Sequence, residues 1–119
     1  MRQKSKGIER LFNAFRNSWN GLRTVFRSEA AFRQELAGCA LAALILAFMG
    51  VSRLEYILLV ASLAFILVAE LINTAIENIV DRIGTEYNEL SKVAKDIGSA
   101  IVFVSITVVA CVWFFVVFF

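Results

Sequence analysis

Glu70, Asn73, Glu77 and Asp81 stand at the end of a long apolar run, in the stretch from Ala69 to Asp81. At the ~100° per residue of an α-helix these four side chains fall within about 80° of one another and form one polar stripe. An ionisable side chain in the middle of a membrane helix costs roughly 2.5–3.5 kcal/mol on insertion scales, so protein, metal or substrate must compensate these acids. Three carboxylates and one amide, backed by apolar residues, suit a hard cation and a proton acceptor. An oligomer contact satisfied by Arg or Ser is the weaker alternative.

The rest of the sequence must place that stripe. Of 119 residues, 60% are hydrophobic and none is Pro or His, with a mean hydropathy of +0.75, which is far from ordinary soluble usage. Leu36 to Ser52 and Ile97 to Phe119 carry no charge, and Tyr56 to Val80 is interrupted only by Glu70 and Glu77. Each run approaches the roughly 20 residues a helix needs to cross the hydrocarbon layer. No strict alternation runs through them, which excludes a membrane β-barrel built from these segments. The expectation is a single all-α membrane domain over residues 1–119, with transmembrane helices at about 30–50, 54–81 and 92–118.

Ahead of the spans, Ile8, Leu11, Phe12, Phe15, Trp19, Leu22, Val25 and Phe26 recur at helical spacing, with Asn and Arg opposite. This reads as an amphipathic helix at about 8–27, lying in the membrane surface with its Arg stems reaching toward headgroups. Gly21 weakens it locally. The long basic region before the first apolar run does not resemble a signal peptide, so the first span is expected to be retained.

Eight of the twelve Lys and Arg lie between Arg2 and Arg33; Arg53 alone separates the first two spans, and Arg82, Lys92 and Lys95 separate the second and third. The positive-inside bias puts the N-terminus and the Arg82–Lys95 loop in the cytoplasm. The acidic stripe then sits at the cytoplasmic end of the second span, where a metal-requiring substrate such as a nucleotide can reach it. Glu29 should enter the first span at about the depth of Glu77, and Glu29 and Arg33 are spaced for an i, i+4 pair. Gly84 is expected to end the second span in a left-handed conformation and Ser91 to cap the third. Cys39 and Cys111 lie within spans without metal-ligand spacing and read as apolar filler. There is no Gly-rich phosphate loop, so metal and basic side chains must hold any nucleotide phosphates.

Four stretches, in order and spacing, resemble the bacterial integral membrane diacylglycerol kinase family: Glu29 to Glu35, Glu70 to Glu77, Val80 to Tyr87 and Ala94 to Ala100, with Ser18 to Arg23 matching its N-terminal helix. The resemblance implies a homotrimer in the bacterial inner membrane, with N-terminus and active site cytoplasmic, that phosphorylates diacylglycerol to phosphatidic acid with MgATP and has no nucleic-acid partner. It further implies Glu70 as catalytic base, Glu29 and Glu77 as Mg²⁺ ligands, and Arg10, Glu86, Lys95 and Asp96 with them around the nucleotide. Trp19, Arg33, Asn73 and Ser99 would meet the lipid acceptor. The family commonly carries His where Asn88 stands and Gly where Lys92 stands. A related enzyme of Gram-positive bacteria that phosphorylates undecaprenol is the nearest alternative. A small multidrug transporter would place its acid near the bilayer midplane and usually has four spans. A purely structural subunit leaves three clustered acids without a role.

Overall fold

A computed structural model describes residues 6–119, which form four helices and, among the described residues, no strand. They are α1 (Gly7–Ser28), α2 (Ala30–Phe48), α3 (Arg53–Ile83) and α4 (Glu89–Phe118). Arg2 and Lys4, counted in the N-terminal charge, lie outside the described residues. With no Pro in the chain nothing breaks a helix from within, and the ends are written in capping residues. The 19 residues of α2 span about 28 Å and the 31 of α3 about 46 Å, so α3 is longer than the roughly 30 Å hydrocarbon layer of a bilayer is thick. α2, α3 and α4 are each long and apolar enough to cross a membrane.

Gly50, at φ 75°, supplies the left-handed residue that turns the chain between α2 and α3. Ser52 then starts α3 with a reciprocal cap: its hydroxyl accepts from the Glu55 N–H at 3.2 Å, and its own N–H donates to Glu55 Oε1 at 3.1 Å. At the other end of α3, Gly84 is extended (φ 176°, ψ 154°) and not left-handed. Its N–H still donates to the Val80 carbonyl, so the helix closes and the chain leaves straight into the loop. The α4 cap is Asn88, whose Oδ1 accepts from the N–H groups of Leu90 and Ser91; Ser91 lies inside the helix. Asn is among the strongest capping residues, and with Asn88 in that place α4 starts at Glu89.

α3 is the central element, packed along α4 and, less extensively, against α2, while α1 touches the chain mainly through α2. The joints between spans combine apolar contact with a few directed bonds. Trp113 Nε1 donates to Ser62 Oγ at 2.9 Å between α4 and α3, and Tyr56 Oη donates to the Ala43 carbonyl at 3.3 Å between α3 and α2. Such interhelical bonds average roughly 0.6 kcal/mol in a membrane, where helix association depends on close packing. The buried set is small: Phe32, Leu46, Leu59, Ala69, Thr74, Val80, Gly98, Ser105 and Val109. Most of the apolar surface of one chain therefore needs lipid or other helices to cover it.

α1 contributes no buried residue, and Ile8, Leu11, Phe15 and Trp19 are exposed. Its junction with α2 is a single residue, Glu29, held extended at φ −114°, ψ 104°. Arg33 ties the two helices: its Nη1 donates to the carbonyls of Phe26 at 2.7 Å and Arg27 at 3.0 Å, orphan acceptors at the end of α1. Two such carbonyls attract a guanidinium at closer range than the half-buried Glu29 carboxylate one turn away. Among the described residues the ion pairs are Lys92–Asp96 and Lys95–Asp81, and the expected Glu29–Arg33 pair is absent.

Candidate active site

The polar stripe on α3 splits between two neighbours. Glu70 turns toward α2, where its carboxyl group lies close to that of Glu35. Asn73, Glu77 and Asp81 turn toward α4. Asn73 Nδ2 donates to Glu77 Oε1 at 3.0 Å, one turn along the same helix. Asp81 Oδ1 receives Lys95 Nζ at 2.8 Å, and Lys95 is also close enough to Glu77 to feel its charge. The stripe is thus lined from inside outward by Glu70 with Glu35, then Asn73 with Glu77, then Asp81 with Lys95.

Beyond it, the connection from α3 to α4 borders an open pocket of ≈ 390 Å³, whose lining includes Asp81, Glu86, Asn88, Lys92, Lys95 and Asp96. The two lysines are each neutralised by a carboxylate, Lys92 Nζ by Asp96 Oδ2 at 2.8 Å and Lys95 by Asp81. Both pairs are about half exposed, and exposed pairs are weak and readily exchanged. A phosphate group can therefore replace a carboxylate as the partner of either lysine through shorter, charge-assisted bonds. Asn88 serves as a helix cap, and Lys92 extends the ion pairing of this pocket.

Of the remaining residues singled out in the sequence, Glu29 sits half-buried at the entry of α2 without capping it. Arg33 is committed to the α1 carbonyls. Ser99 is exposed on α4, and Arg10 and Trp19 are exposed on α1. Within one chain the structure brings Asn73, Glu77, Asp81 and Lys95 together between α3 and α4, turns Glu70 toward α2, and leaves Arg10 and Trp19 on a separate helix. Among the described residues no three His, Cys, Asp or Glu side chains are grouped to hold a metal ion. The carboxylates of one chain offer a partial, all-oxygen donor set. That is the kind a Mg²⁺-nucleotide uses, since the ion keeps several waters and takes one or two carboxylates plus phosphate oxygens.

Glu35 is the residue that the sequence reading left without a role. Its signal was its place: an acid one turn inside the first apolar span, where an ionisable side chain implies a partner or a function.

A chain of three long apolar helices, with acids gathered on the middle one beside lysines, has the makings of a membrane-embedded site for an anionic substrate. The sequence model of prokaryotic diacylglycerol kinases matches residues 16–117. The diacylglycerol kinase of Escherichia coli is 42% identical over 113 residues, covering 95% of this chain and 93% of the relative. That of Haemophilus influenzae is 42% identical over 119 residues, covering 98% of each chain, and that of Pseudomonas aeruginosa is 42% identical over 107 residues, covering 90% and 87%. This chain belongs to the prokaryotic diacylglycerol kinase family, and it is an enzyme of the kinase type.

Proposed function

We propose that this protein transfers the γ-phosphoryl group of MgATP to the primary hydroxyl of diacylglycerol, giving phosphatidic acid, as a homotrimer in the bacterial inner membrane. The observation that carries this reading is the divided stripe on α3, in a chain of this family: Glu70 against α2, and Glu77 and Asp81 against Lys95 of α4.

Phosphoryl transfer asks the protein for positioning and charge neutralisation more than covalent chemistry. Glu70 accepts the proton of the lipid hydroxyl as its oxygen bonds to the γ-phosphorus and the bond to the β-γ bridging oxygen breaks, releasing ADP. Glu70 lies about 10 Å deeper along α3 than Glu77, which separates the acceptor end of the reaction from the nucleotide end. Glu77, steadied by Asn73, and Glu29 hold Mg²⁺, which supplies charge neutralisation on the phosphate oxygens. Lys95 exchanges Asp81 for a phosphate oxygen, with Asp96, Glu86 and Arg10 around the nucleotide. Asn73 borders the acceptor as well as Glu77, and Trp19, Arg33 and Ser99 border the lipid.

The N-terminus and the Gly84–Asn88 connection face the cytoplasm in this reading, with α1 on the membrane surface. The Lys and Arg distribution and the exposed apolar residues of α1 support both placements. The decisive experiment supplies purified protein in lipid with MgATP and diacylglycerol, with undecaprenol in a parallel reaction. Phosphatidic acid as the main product supports the proposal; transfer to undecaprenol alone, or to neither, refutes it.

A further inference from the structure

Gly98 is the buried residue of α4 that faces Asn73. A Cβ built at Gly98 would clash with Asn73 Oδ1, while the next atoms, Asn73 Cγ and Ile76 Cδ1, would be at 3.5 Å, an ordinary contact distance. The clash is therefore specific to one atom. That atom is buried and accepts no hydrogen bond among the described residues. The other end of the same amide, Nδ2, donates to Glu77 Oε1 at 3.0 Å. Because the amide is planar, Oδ1 cannot be pushed aside without carrying Nδ2 away from Glu77. Turning the amide over is no escape, since it would set a carbonyl oxygen against a carboxylate oxygen.

We propose that Gly98 is a positioning residue for Glu77: the absence of a side chain on α4 gives the Asn73 carbonyl its seat, and that seat aims the Asn73 amide at the Glu77 carboxylate. The functional consequence rests on the reading of Glu77 as a metal ligand, whereas the seat itself does not. Gly98 touches neither nucleotide nor lipid and acts only through Asn73. It also lies one turn from Lys95 on α4, so the contact sets the register in which Lys95 meets Asp81 and Glu77.

The test compares wild type, Gly98→Ala, Asn73→Ala and the double variant in lipid, with two readouts. Solution or solid-state NMR of the ¹⁵N-labelled Asn73 side chain reports the amide directly. In Gly98→Ala its hydrogen-bonded signal should shift and its exchange with solvent should speed up. The Mg²⁺ concentration giving half-maximal activity should rise about fivefold or more, within the range that residues in direct contact couple. In the Asn73→Ala background the added methyl no longer meets an oxygen and keeps only ordinary contact with Ile76 Cδ1, so Gly98→Ala should change the Mg²⁺ requirement by less than about twofold.

An unchanged Asn73 signal in Gly98→Ala overturns the inference, as does a Gly98→Ala defect of the same size in both backgrounds. Should Gly98→Ala fail to assemble, the double variant decides: restored assembly supports the seat, and continued failure overturns it. A wild-type protein without MgATP-dependent transfer would refute the proposed function instead, and the amide signal would still decide the seat.

Discussion

Lys95 on α4 and Asp81 on α3 are joined at 2.8 Å, so the cation at the mouth of the stripe already holds an anion. With both side chains about half exposed, the pair adds little to stability, and its importance lies in competition for Lys95. Lys95→Met should raise the KM for MgATP by an order of magnitude or more, because a charge-assisted bond to phosphate is lost. Asp81→Asn should leave that KM unchanged or lower it, since a competing anion leaves and Lys95 stays. Initial rates against MgATP decide; a rise in KM for Asp81→Asn equal to that for Lys95→Met would show that the pair works as a structural unit.

Glu70 and Glu77 should fail in different ways. Glu70→Gln keeps shape and hydrogen-bonding capacity but removes the base, so turnover should fall by roughly 10²–10⁴ with MgATP affinity little changed. Glu77→Gln and Glu29→Gln remove a ligand, so they should raise the Mg²⁺ requirement, and EDTA should abolish wild-type activity until Mg²⁺ is restored. Separate measurements of turnover and nucleotide affinity distinguish base from ligand. The assignment fails if extra Mg²⁺ cures Glu70→Gln, or if both ligand variants keep wild-type Mg²⁺ dependence.

Glu35 beside Glu70 carries its own expectation. The two carboxyl groups lie close together, and Gln at 35 keeps a polar group of similar size beside Glu70 where Ala does not. Glu35→Gln should therefore retain more turnover than Glu35→Ala, and both should retain more than Glu70→Gln. Equal losses in Gln and Ala variants would show that the contact does not orient the base.

Hydropathy and the 100° period of a helix disclosed the three long apolar helices and the α3 stripe, because lipid admits few alternatives to a helix. Partner assignments were harder to read. The expected first span of about 30–50 includes Glu35, but no periodicity on α3 says which α2 side chain Glu70 will meet. Arg33 looked like half of an i, i+4 pair, but its position after a one-residue break from α1 brings the free carbonyls of Phe26 and Arg27 into competition. Gly98 lay in plain view within a motif, yet a glycine has a role only once its neighbour, Asn73, is placed.

The proposed homotrimer carries its own expectation. One chain buries few residues, and in that proposal neighbouring chains would cover the side of the stripe that α2 and α4 leave open. Cross-linking of active protein should give trimers. Mixing Glu70→Gln with Glu29→Gln chains, at a Mg²⁺ concentration where each alone turns over slowly, should restore part of the activity if the site is shared. Recovery of monomer alone from active preparations would contradict this.

The α1–α2 junction is the most economical place to test how α1 is held. Arg33 Nη1 binds two carbonyls at the end of α1, and the only covalent link there is the single extended residue Glu29. Arg33→Met keeps much of the stem and removes both bonds. Backbone amides in the last turns of α1 should then exchange faster with solvent, while those of α3 and α4, packed along each other, should not change. Arg33→Lys should restore protection only in part, because a single ammonium lacks the fixed fork of a guanidinium. If Arg33 instead served the lipid acceptor alone, the KM for diacylglycerol would rise in Arg33→Met with α1 exchange unaltered, and that result would remove the tie between the two helices.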